Sequence, residues 1–180
     1  MKRILLSILM LALSASAMQA QKLYATKKGQ LKFNATGGVE AIAAVNNQVD
    51  SKMVDKTGQI VFSVLIKGFK FDNQLMEDHF NENYLESTKF PKADFKGFIL
   101  NAASVDFSKD GKHNITAEGT LTIHNIAQKV SVPGTLTIAD GKAAVMATFK
   151  IKIKDYGITG LYIGDKIAPD AEIVLNCKYD

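Results

Sequence analysis

The sequence predicts an all-β fold, a meander of roughly eight or more antiparallel strands forming a sandwich or a closed barrel. Three observations predict it. Long runs in the second half of the chain alternate apolar and polar residues. Short turn signals such as Ser108-Lys-Asp-Gly111 and Ala139-Asp-Gly141 separate those runs, and a single segment has helical spacing instead.

Residues 1–20 are read apart from the fold. Lys2 and Arg3 precede a short apolar run, Ile4 to Leu13, and the small-residue stretch SASAMQA follows. That order marks a secretory signal peptide, cleaved after Ala17 or Ala20, with an apolar core too short to span a bilayer comfortably. Residues 21–180 are then one domain, exported into an oxidising space. Cys177 is the only cysteine, so no disulfide can form within the chain and packing must supply the stability. The formal net charge of +4 falls to +2 once Lys2 and Arg3 leave, and the remaining basic residues are scattered. This gives no case for nucleic acid. No later apolar run is long enough for a transmembrane segment in the mature chain.

The first strands are weakly written: QLKFNA (30–35), VEAIAAV (39–45) and NQVDSKMV (47–54). Gly58 to Phe71 is apolar on both faces, with Phe62 and Val64 on one of them, as for a strand covered on each side. Asp72 to Glu86 breaks the pattern. A capping Asp or Asn, Glu77 and Asp78 in the first turn, and Met76, Phe80 and Tyr84 four apart mark an amphipathic helix. Pro91 bars its continuation.

From His113 onward the period is two. His113, Ile115, Ala117, Gly119, Leu121 and Ile123 share an inward face against Asn114, Thr116, Glu118, Thr120 and Thr122. Val130, Val132, Gly134, Leu136 and Ile138 repeat it. Ala143, Val145, Ala147, Phe149, Ile151 and Ile153 follow, then Ala171, Ile173, Leu175, Cys177 and Tyr179. Strands of about eleven residues at ~3.3 Å each run to roughly 35 Å. Their inward faces mix bulky residues with Ala117, Gly119, Gly134, Ala143 and Ala147. In a barrel of about eight strands, small inward residues leave room for one ligand; in a sandwich they let two sheets interdigitate. Periodicity alone leaves both open.

Three motifs in order resemble the YceI-like family: LESTKFP (Leu85 to Pro91), Leu121-Thr-x-His124, and Asp155-Tyr-Gly157. The resemblance covers Asp72 to Asp180 well and the N-terminal quarter loosely. It implies an extended, lipocalin-like antiparallel β-barrel with one helix near an end. Its apolar pore would hold a long amphiphile: a polyisoprenoid, an isoprenoid quinone or a fatty-acid derivative. A true lipocalin is disfavoured, since its Gly-x-Trp signature cannot exist in a chain without Trp. Asn125 stands where the family usually has Gly after the His, and Ile153 where an Arg is often found. The family's His-Ser before the first hydrophobic pair is not evident.

The expected pore lining is therefore Phe62, Val64, Ile115, Ala117, Leu121, Val130, Val132, Leu136, Val145, Ala147, Phe149, Ile173 and Leu175. No catalytic residue, metal or cofactor is expected. His124-Asn125 reads as a tight bend in which Asn tolerates a positive φ, with no acid or nucleophile adjacent in sequence. His79 with Glu82 is an incomplete metal set. His113, at a strand end, is expected to be exposed or to meet a polar head at the mouth. Cys177 should behave as a small buried hydrophobe. Tyr156 and Tyr162 line an entrance or pack on their own loop. Lys150, Lys152 and Lys154 point outward, away from a ligand. A filled sandwich acting as a structural or adhesion module is one rival, and an envelope hydrolase using His79 or His124 is the other. Oligomeric state stays open, a dimer included.

Overall fold

The protein was analysed as a computed structural model that describes residues 21–38 and 41–179. The expected signal peptide lies outside the described residues. Eight strands, β1 (Leu23–Thr36), β2 (Ala43–Val54), β3 (Gln59–Leu65), β4 (Lys92–Ile99), β5 (Gly111–Ile123), β6 (Ile126–Ala139), β7 (Lys142–Lys152) and β8 (Ile167–Tyr179), follow one another in a closed barrel. Every neighbouring pair is antiparallel, and β1 closes on β8 through Gln30↔Asn176 to Asn34↔Glu172. The fold is thus a barrel, and the sandwich reading falls. A short helix, α1 (Gln74–His79), and a π-helical turn, Phe80–Tyr84, sit between β3 and β4.

The helix begins where the sequence predicts. The Asn73 side chain accepts the Leu75 N–H at 2.9 Å, and Glu77 sits in the first turn. Regular helix ends earlier than the Met76–Phe80–Tyr84 spacing suggests. Asn81 donates its side-chain amide to the Glu77 carbonyl at 2.8 Å, and the chain widens into the π turn there.

The weak N-terminal strands have a physical explanation. The paired strands β1 and β2 both change phase at a register shift around Gly29. Tyr24 and Thr26 point inward before it, Leu31, Phe33 and Ala35 after it. On β2, Ala44 and Asn46 point inward before the change, Val49, Ser51 and Met53 beyond it. Residues 43–45 and 47–54, expected on separate strands, therefore fall on one continuous β2, while Val39 and Glu40 of the first expected strand lie outside the described residues. Asn46 is fully buried at the change of phase. It donates to the Leu65 carbonyl at 2.9 Å and accepts the Gln48 N–H at 2.8 Å, so the buried amide is paired.

Two halves of the interior differ. Where β2 and β4 end and β3 and β5 begin, Tyr24, Met53, Ile60, Leu136, Ile138, Cys177 and Tyr179 are almost wholly buried and fill the barrel. Ser51 Oγ and Tyr179 Oη share a hydrogen bond of 2.8 Å, and Ser51 also donates to the Val61 carbonyl. The segment between β4 and β5 folds over this end, with Phe107 against Tyr24 at 5.8 Å between ring centroids. Toward the opposite end, the same inward rows surround empty space.

Candidate functional site

That space is a cavity of about 500 Å³, inside the range of about 300–1,000 Å³ usual for small-molecule sites. Its floor is set by Val49, Ile60, Ile115, Val145 and Leu175, and its walls rise along Leu31, Phe62, Phe95, Ala117, Leu121, Val130, Val132, Ala147, Phe149 and Ile173. Twelve of the thirteen residues expected to line a pore do line it. Leu136 does not. It has the right parity but lies in the filled end, packed with no exposure.

The small inward residues divide in the same way. Ala117, Gly134 and Ala147 border the cavity. Ala143 belongs to the filled end, and Gly119 has a different task. It pairs with Gly97 across β4 and β5. A Cβ on either glycine would run into backbone of the facing strand and into the Phe95 ring. Phe95 lies over the glycine pair, so these glycines let two strands and a ring approach and leave no room for a ligand.

The mouth is roofed by aromatic side chains that only the tertiary fold brings together. Phe33 of β1 stacks on Phe80 of the π turn at 5.3 Å, and Phe69 and Phe71 flank both rings at 5.1–5.6 Å. The roof is tied down by Glu77, which bonds Lys70 Nζ at 2.6 Å and accepts the Phe71 N–H. Beyond it, the loop before β8 contributes Tyr162, Ile163 and Lys166 to the rim, beside Asn73, Leu75, Met76, His79 and Tyr84. Burial and the neighbouring Tyr162 push the Tyr84 phenol upward in pKa. Tyr156 is instead buried and absent from the lining.

One seam of the wall opens toward the mouth. β6 and β7 pair only from Gly134↔Ala147 to Ala139↔Lys142. Beyond Pro133 the ladder stops, and Gln128 Nε2 spans to the Asp155 carbonyl at 2.7 Å instead. Val130 and Val132 on one side and Phe149 and Ile151 on the other line the cavity along this divergence. Lys150 and Lys152 lie outside, opposite Glu172 and Asp170 of β8, away from the interior.

The polar candidates separate clearly. His124 and Asn125 have φ of 51° and 61°, and Ile123 pairs with Ile126, so they form a two-residue hairpin turn. The acid missing from the sequence neighbourhood comes from 38 residues away: His124 Nε2 lies 3.0 Å from Glu86 Oε2. Its ring packs edge-on to Phe90 at 4.3 Å. The pair pins the segment behind the roof to the β5–β6 hairpin. Ser87 is adjacent, but its hydroxyl is buried without a hydrogen-bond partner and makes none with His124. His113, expected exposed or at the mouth, is half-buried at the filled end, with Nε2 lacking a hydrogen-bond partner within the protein. His79 stands on the rim. Among the described residues no group of three or more His, Cys, Asp or Glu side chains is placed to hold a metal ion. Burial pushes the Cys177 thiol up to about 12, in keeping with a small core residue.

Closed barrel, filled floor and apolar cavity together define a lipocalin-like β-barrel with an internal cavity. The match to known families is specific: the family model for the YceI-like domain covers residues 15–179, and the chain belongs to that family. Solved structures share the fold. A polyisoprenoid-binding domain from Saccharophagus degradans, described as implicated in plant cell wall breakdown, is 10% identical with a TM-score of 0.74, over 89% of this chain and 99% of its own. BcnA from Burkholderia cenocepacia is 16% identical with a TM-score of 0.67, over 83% and 94%. A YceI protein from Campylobacter jejuni is 15% identical with a TM-score of 0.61, over 80% and 88%. No curated protein matches the chain.

Proposed function

We propose that this protein is a periplasmic binding protein that sequesters or carries one long apolar amphiphile, such as a polyisoprenoid, an isoprenoid quinone or a fatty-acid derivative. The observation that carries this reading is the cavity of about 500 Å³, walled by hydrocarbon and closed at its inner end. Each CH₂ moved into it from water contributes about 0.8 kcal/mol, so a long chain needs few polar contacts. The naming of the Saccharophagus degradans domain as polyisoprenoid-binding supports the ligand class. Export follows from the signal-peptide reading of residues 1–20, and residues 21–180 form the mature barrel.

The reading is of a carrier and not a hydrolase. His124 is engaged by Glu86 and Phe90, and the buried Ser87 hydroxyl beside that pair makes no hydrogen bond with it. The test has two arms. Organic extracts of protein purified from its native envelope should contain one dominant long-chain lipid by mass spectrometry. Delipidated protein should bind a fluorescent polyene fatty acid saturably, and an isoprenoid alcohol or quinone should displace it. An empty extract together with non-saturable probe uptake would overturn the proposal.

A further inference from the structure

A carrier whose ligand is insoluble must collect it from a membrane, and the two segments framing this mouth differ from the rest of the rim. We propose that the mouth docks on a lipid bilayer surface, with the turn Gly160-Leu161-Tyr162-Ile163-Gly164 as the element that enters the interface and α1 beside it. The proposal rests on the lipid-carrier reading.

Leu161 is 95% exposed, Leu75 on α1 is 60% exposed, and Tyr162 is 48% exposed. A single exposed leucine is ordinary. Here, however, Leu75, Tyr162 and Ile163 also line the cavity, so the outer apolar surface is continuous with the interior that would receive the ligand. A lipid leaving a bilayer through this opening need not cross water. The turn is held in shape. Tyr162 O accepts the N–H groups of Asp165 and Ile167, and Gly164 N–H donates to Ile167 O at 2.7 Å. Gly160 packs so closely on Tyr84 that a Cβ there would strike the ring, which joins the turn to the π turn of the roof. Tyr162, amphipathic and at the rim, has the character favoured at membrane interfaces.

The charges choose the kind of surface. The loop carries Lys154 and Lys166 against Asp155 and Asp165, and the roof segment carries Asp72, Glu77, Asp78 and Glu82, with Glu77 paired to Lys70. There is no excess of cations to seek anionic headgroups. Docking is therefore apolar, tolerant of neutral lipids and independent of anionic headgroups.

Because the chain has no tryptophan, Leu161→Trp introduces a single reporter. With protein-free phosphatidylcholine vesicles its emission should shift to the blue and be quenched by brominated lipid, with no need for added phosphatidylglycerol. Lys109→Trp, in the exposed loop at the filled end, should show neither change. Leu161→Asp should lower vesicle partition about tenfold, as loss of one buried leucine implies, while binding the fluorescent fatty acid as the parent does. If the indole of the Leu161→Trp variant is unmoved by vesicles while the probe still binds, the docking proposal is overturned and the carrier reading stands. An emission shift in that variant that needs envelope proteins and is absent with protein-free vesicles would assign the turn to a protein partner and likewise overturn it. Vesicle docking without probe uptake would uphold the surface and remove the carrier reading.

Discussion

The two ends of the barrel are built from the same strands and the same alternation, yet one is full and the other hollow. At the filled end the inward positions hold Tyr24, Met53, Leu136, Ile138, Cys177 and Tyr179, with a Ser51–Tyr179 hydrogen bond across the floor. At the hollow end Ala117 and Ala147 occupy equivalent inward positions, and the bulky residues retreat to the roof. The difference teaches that stability and capacity are separable here. The floor, β1–β8 closure and the glycine-tight β4–β5 pair keep the barrel together, and the upper walls are free to serve a ligand.

The largest expected effect tests the floor. Leu136→Ala removes a fully buried side chain where nothing can collapse into the gap, and should cost ~2–5 kcal/mol. Chemical denaturation of delipidated protein would measure it. A loss under ~1 kcal/mol would show that the cavity extends through the floor and that the two ends are alike.

A smaller stability effect with a large functional one is expected above. Ala147→Trp or Ala117→Trp should place its ring in the cavity, changing stability little while abolishing saturable uptake of the fluorescent fatty acid. Overpacking of a filled core instead costs typically ~1–3 kcal/mol. A fall of that size, measured in protein that never carried lipid, would mean the walls lack the space ascribed to them.

The smallest effect concerns pH. Burial raises the Cys177 thiol from 9.0 to about 12. Burial, and next the Asp155 charge, raise the Tyr156 phenol from 10.0 to about 12. Burial also raises Tyr179, opposed by its hydrogen bond with Ser51. In each case the unfolded chain releases its proton first as pH rises. The stability these groups contribute is therefore whole below their unfolded values and is lost progressively toward about pH 12. Thermal melts should fall with rising pH from about pH 9, and Cys177→Ala should delay that onset toward the tyrosine value of 10.0. A flat profile would contradict a dry floor.

Much of the architecture was legible in the residues. The alternation from His113 to Tyr179 defines β5 to β8 and nearly all of the cavity wall they contribute, because the side-chain period of a strand is its geometry. Asn125 marked the hairpin bend. Parity, however, assigns a face and not a height, so it could not tell that Leu136 sits below the cavity or that Gly119 serves strand approach. A register shift erased the period in β1 and β2, which hid Phe33 from the expected lining. The roof of Phe33, Phe69, Phe71 and Phe80 and the Glu86–His124 pair join residues far apart in sequence, and no local pattern announces them.

The paired glycines of β4 and β5 also bear on how the chain finds this arrangement. A slip of one residue would turn every side chain of a strand to the wrong face, but a slip of two would preserve the faces and escape that check. Here it would set Ala117 or Leu121 against Gly97. Any side chain at that point would meet the Lys96 carbonyl and the Phe95 ring, as a Cβ on Gly119 would. The close Gly97–Gly119 approach therefore favours the observed alignment of β4 on β5 over a two-residue slip. Since β5 is bonded to β6 along its whole length, that one alignment sets the heights of the inward rows of β4, β5 and β6 relative to one another.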